Sequence, residues 1–166
     1  MKSKIYVAFI GAVLTALTVL MTQGQQQPKK DHEQMNKRGD HVMGFDHHKT
    51  THHFRLLPQG GAIEITANSP EDTESRDQIR SHLGHIAKMF GDGDFNAPML
   101  IHDQIPPGVP VMQKLKSEIE YRFEETERGA TIHISTSNKK ALSAIHKFLR
   151  FQIKEHKTGD SLEVSP

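Results

Sequence analysis

The stretch Thr51-His-His-Phe-Arg-Leu-Leu57, continuing through Pro58-Gln-Gly-Gly61 into Ala62-Ile-Glu-Ile-Thr-Ala67, decides the fold. His52, Phe54 and Leu56 alternate with His53, Arg55 and Leu57, the two-residue period of a strand with two different faces. Pro58-Gln-Gly-Gly61 is a turn signal, and Ile63, Ile65 and Ala67 alternate with Glu64 and Thr66 beyond it. The whole reads as a β-hairpin.

Outward from the hairpin, Asn68-Ser-Pro-Glu-Asp72 has the chemistry of a helix start. Ser69 is the expected cap, Pro70 suits the first helical position, and Glu71 and Asp72 favour the positive end of the dipole. Ile79, His82, Leu83, Ile86 and Phe90 fall on one helical stripe, which Gly91-Asp-Gly93 stops. The pattern then recurs. Ile119, Tyr121 and Phe123 alternate with charged residues, Thr126-Glu-Arg-Gly129 turns the chain, and Ile132 and Ile134 form a fourth strand. Ser137 or Asn138 caps a last helix with the stripe Leu142, Ile145, Phe148, Leu149, Gln152 and Ile153, ending at Lys154, His156, Lys157 and Gly159. Gly61-Ala-Ile-Glu-Ile65 corresponds to Gly129-Ala-Thr-Ile-His-Ile134 with a one-residue offset. Two hairpin–helix repeats predict an α+β fold: a four-stranded antiparallel sheet with both helices on one face. The strand order is open.

Between the halves, residues 92–110 are rich in Gly and Pro and read as a functional or Ω-type loop, with a short helical turn near 111–116. The domain spans 44–160. Residues 25–43 read as a flexible tether, and 161–166 as a loose tail. Lys2, Lys4 and the apolar run from Ile5 to Met21, ending in Thr22-Gln-Gly24, have the make-up of an export signal over residues 1–24. The competing reading is an uncleaved membrane anchor. Either places the domain in the periplasm or outside the cell.

The 166 residues include no Cys and no Trp, which removes disulfides, thiolate metal sites and a nucleophilic cysteine. Without residues 1–24 the chain carries 19 basic and 20 acidic side chains, a net charge of −1. No basic block speaks for nucleic acid. Histidine is the unusual residue: all 12 lie beyond residue 24.

Three segments concentrate them. His47, His48, His52 and His53 surround the start of the first strand; His82, His85 and Met89 share a predicted helix; Met99 and His102 follow in the connection. On an ideal helix His82, His85 and Met89 lie within about 60° of one another. If Ile79 matches Ile145 and Leu83 matches Leu149, His82 stands where the second repeat has Phe148, and His85 where it has Phe151. Burying imidazole in place of phenyl costs free energy unless the ring nitrogens find partners. The expected constellation is His82 and His85, one of His52 or His53, and Met89, Met99 or His102 to complete the shell. Imidazoles with a thioether suit copper, especially Cu(I), and zinc comes second. Each piece also has an ordinary reading: tandem histidines as a solvated segment, His82 as a hydrogen-bonded core residue, Met89 and Met99 as core filler. His133, His146 and His156 are assigned to solvated faces or a helix end.

GxSxG, HExxH, a P-loop and a strand-linked GxGxxG are all absent. The expectation is an exported protein that binds copper or, second, zinc, with enzymatic activity left open and the balance against it. The alternatives are a module that binds a protein partner or small ligand, and a metal-dependent enzyme using Asp46, Asp92, Asp94 or Asp103. Residues 44–54, Phe95-Asn-Ala-Pro-Met-Leu-Ile-His-Asp103 and Pro106-Pro-Gly-Val-Pro110 resemble a family of small exported bacterial proteins of unknown function, over roughly residues 41–158. That resemblance implies export and a compact α+β domain, and carries no activity or functional residue.

Overall fold

The structure, a computed structural model, describes residues 27–165. The expected signal at 1–24 lies outside the described residues. Among the described residues no helix is long and apolar enough to cross a membrane. The chain divides into two units between residues 34 and 35; helix α1 spans Gln27–Met43.

The second unit contains β1 (Thr50–Leu57), β2 (Gly60–Ala67), α2 (Thr73–Gly91), α3 (Asn96–His102), α4 (Val109–Lys114), β3 (Glu120–Thr126), β4 (Gly129–Ser135) and α5 (Lys139–His156). The strands form one antiparallel sheet in the order β1-β2-β4-β3. Its register repeats. A shift of 69 positions, from 54 to 123 and from 63 to 132, carries the pair Phe54–Ile63 onto Phe123–Ile132. The central pair Ile63–Ile132 joins the halves, so Phe54, Ile63, Ile132 and Phe123 lie in one row across the sheet. Gly60 and Gly129 are related by the same shift. A β-carbon on Gly60 would overlap the carbonyl of Ile134, and one on Gly129 would overlap that of Ile65. Only glycine lets each hairpin close against the other half.

The helices repeat with a shift of 66. Asp72 caps α2 by accepting the Ser75 N–H, and Asn138 caps α5 by accepting those of Lys140 and Ala141. The start expected at Ser69 falls three residues later because Ser69 instead opens a turn, its carbonyl accepting the Asp72 N–H at 3.2 Å. Ile79 and Ile145, Leu83 and Leu149, and Ala87 and Ile153 are buried in matching places. Helix α2 packs on β2, β3 and β4, and α5 on β1 and β2, building one apolar core on one face of the sheet. The other face carries polar pairs, Arg55–Glu64 at 2.7 Å and Arg122–Glu124 at 2.6 Å.

Four segments differ from expectation. Residues 27–43 are helical rather than a tether: Met35 is buried and Val42 and Met43 pack on the core at helical spacing, while Arg38 donates Nε–H to the Ile101 carbonyl at 2.8 Å. The connection 92–110 holds α3 and the start of α4. The tail docks on the free edge of β1: Asp160 accepts the Phe54 N–H at 2.9 Å, and Ser165 donates to the Leu56 carbonyl. His146, assigned to a solvated face, is half-buried and its Nε2 lies 2.9 Å from the carbonyls of Leu57 and Gly60, tying α5 to the first hairpin turn.

Candidate metal centre

Four imidazoles gather around a cavity of about 60 Å³ between β1, α2, α3 and α5. His52 enters from the inward face of β1, in register with Ile65. His82 comes from α2, set against the Phe45 ring edge-on at 5.6 Å. His102 is the last residue of α3 and is buried. His156 ends α5, stacked on His52 at 5.7 Å with 7° between planes and edge-on to His102 at 5.0 Å. Gln152 and Met43 also line the cavity; the rest of the wall is apolar, with no carboxylate in it.

Burial disfavours the charged form of three of these rings, His52, His82 and His102. Burial, reinforced by the charge His82 would carry, pushes His52 down to about 4. Burial, with a smaller contribution from His85, does the same to His82. Burial also lowers His102, only partly offset by its bond to Gln152. That bond fixes the tautomer of His102. The amide oxygen of Gln152 lies 2.9 Å from Nε2, so Nε2 carries the proton and Nδ1 keeps its lone pair. Nδ1 of His102 and Nε2 of His52 are both buried with no hydrogen-bond partner. Leaving such an atom unsatisfied costs about 1–3 kcal/mol.

Of the predicted ligands, His52, His82 and His102 share this cavity. His85 is exposed. The α2 stripe explains the separation: three residues along a helix turn the side chain back by about 60°, so His82 lies on the rim of the buried face and His85 beyond it. His53 points to the opposite face of β1, where its Nδ1 meets Asp160 at 2.8 Å. Met89 packs against the core, Met99 is half-buried on α3, and neither lines the cavity. His47 and His48 lie in a 3-10 turn just before β1. Sequence reasoning missed His156, Gln152 and Met43. The repeat could have found the first two, since the 66-residue shift sets Gln152 against Ile86 and His156 against Phe90.

Among the described residues, the set of three His, Asp or Glu groups whose ligand atoms lie within 4.8 Å of one another is Asp46–His47–His48, outside the cavity. The cavity is therefore lined by residues with two buried, unpartnered ring nitrogens, without a closed three-donor cage. Comparison with known proteins finds no matching family model, no similar curated protein and no similar solved structure.

Proposed function

We propose that this is an exported protein that binds a transition metal ion, copper(I) before zinc(II), between the imidazoles of His52, His82 and His102, with His156 and the Met43 thioether completing the shell. The observation that carries the reading is the pair of buried, unpartnered ring nitrogens, His52 Nε2 and His102 Nδ1, on residues lining one cavity. A metal ion satisfies both lone pairs. The charge of the wall favours the monovalent ion. With no carboxylate to offset it, a dication pays roughly fourfold the desolvation cost of a monocation of equal size, because that cost grows as charge squared. Cu(I) is also content with two or three ligands and accepts a thioether, which fits a site without a tight cage.

The test is anaerobic Cu(I) titration of the untagged chain against a chromogenic chelator, beside His82→Phe and His52→Phe. One Cu(I) per chain, held at least ten times more weakly by each variant, supports the reading. Equal binding by wild type and both variants returns the four histidines to the role of core residues.

A further inference from the structure

A second cluster stands apart from the cavity, at the turn leading into β1. One ring nitrogen from each of His47 and His48 and a carboxylate oxygen of Asp46 lie within 4.8 Å of one another. With metal–ligand bonds of about 2.0–2.2 Å in a tetrahedral site, ligand atoms lie about 3.3–3.6 Å apart, so closing this set moves its atoms by about 1 Å at most. Backbone bonds hold the turn in shape. Asp46 Oδ1 accepts the His48 N–H at 2.8 Å, and the Asp46 carbonyl accepts the Lys49 N–H at 3.1 Å. The rings of His47 and His48 lie 3.9 Å apart.

A further carboxylate fixes one of these rings. Asp40, near the end of α1, accepts the His47 backbone N–H at 2.9 Å and reaches His47 Nδ1 with both oxygens, at 2.8 and 2.9 Å. Since a carboxylate can only accept, Nδ1 carries the proton and Nε2 keeps the lone pair. This is the arrangement by which carboxylates orient metal-binding imidazoles and make them more basic. We infer that Asp46, His47 and His48, with Asp40 positioning His47, form a surface site for a divalent transition metal ion such as Zn²⁺ or Ni²⁺. Two carboxylates and two imidazoles offset a dication where the neutral cavity does not, and borderline N/O donors suit these ions. The site shares no residue with the cavity, so neither depends on the other being real.

The experiment is calorimetric titration of Zn²⁺ into the untagged full chain and its variants, each confirmed as folded by circular dichroism. Wild type takes up Zn²⁺; His47→Ala/His48→Ala weakens that binding at least tenfold, and Asp40→Asn weakens it about 10–100-fold. Two exposed histidines outside the cluster serve as controls, and His41→Ala and His85→Ala leave the affinity within twofold. Nitrogen shifts of the His47 ring separate positioning from a loss of fold: in Asp40→Asn the ring becomes a mixture of tautomers while the rest of the spectrum is unchanged. Zn²⁺ binding that survives the double variant, that falls as far in the control variants, or that is absent from wild type overturns the inference. His82→Phe separates the two sites, since it weakens Cu(I) binding in the cavity at least tenfold and leaves Zn²⁺ binding at the turn unchanged.

Discussion

The two ends of the helix layer are built from the same plan and filled with opposite chemistry. At the β3 end, Phe90 and Phe148 cross edge-on at 6.0 Å, and Tyr121 meets Phe90 at 5.8 Å. The repeat shifts carry these three onto His156, His82 and His52 at the β1 end. The connection between the halves contributes one ring to each: Phe95 stacks on Phe90 at 4.4 Å, and His102, at the far end of α3, packs against His156 at 5.0 Å. Rings occupy corresponding places in both clusters. Phenyl rings gain from burial and from edge-to-face contact, whereas imidazoles bring nitrogens that need partners. The aromatic end leaves one such polar atom, the Tyr121 hydroxyl, buried without a partner, and the histidine end leaves ring nitrogens of His52 and His102. The histidine end gives up some of the gain from phenyl burial, and this difference is the strongest physical reason to look for a ligand there.

Acid breaks the symmetry most. His52 and His82 hold folded pKa values of about 4 against 6.5 for the free side chain. Above pH 6.5 neither state is protonated at these rings. As pH falls from 6.5 to 4 the unfolded chain takes up protons that the folded chain refuses, so stability drops, and below 4 this loss is complete. Up to roughly 3 kcal/mol is expected for each ring, measured by urea unfolding across that range. Phe95→Ala, buried at the aromatic end and not part of the cavity wall, should lower the whole curve without changing its slope.

Making the aromatic end resemble the other comes next. Phe148 is almost fully buried, and Phe148→His should cost about 2–4 kcal/mol at pH 7, with a new loss below pH 6.5. A cost under 1 kcal/mol would mean the scaffold accepts imidazole freely and would remove the energetic case for a site. Smaller again is the support behind β1. Burial alone would raise the carboxyl of Asp160, but bonds from Thr158, the Phe54 N–H and His53 together hold it below the usual range. Asp160→Ala should cost roughly 1–2 kcal/mol at neutral pH and speed amide exchange at Phe54. With a folded pKa below the ordinary 3.8, this contribution is present above 3.8 and fades as pH falls through the folded value. The smallest effect has the opposite sign. His82→Phe copies the second repeat and should gain about 0.5–1 kcal/mol at pH 7 while flattening the acid loss.

Alternation and stripes gave away the sheet, α2 and α5, because the strand sequences alternate apolar with polar residues and both long helices carry a cap and an apolar stripe. Strand order was not legible, since it depends on Gly60 and Gly129 closing against the other half. Helix α1 escaped notice because its mean hydropathy is low and its buried face is little more than Met35, Gly39 and Met43. Helix α3 has no side-chain cap and carries Pro98 in its first turn, so it looked like loop. The histidine-lined cavity was half legible. Substituting His82 for a phenyl marked the right face of α2, but continuing to His85 followed spacing past the rim of that face. His156 was read as a charge at a helix end, and only the fold brings α5's last residue against His52.

The docked tail has a consequence for the protein's behaviour among its own copies. Strand β1 is an edge strand, and an edge with free backbone groups is a template on which another chain can add. Asp160 and Ser165 already occupy the Phe54 N–H and the Leu56 carbonyl on that edge, and Arg150 pins the segment between them through the Leu162 carbonyl at 2.8 Å. The last residues thus work as a sheath. They cover backbone groups on the strand that carries His52, and leave β3, at the far side of the sheet, as the edge without such a cover among the described residues.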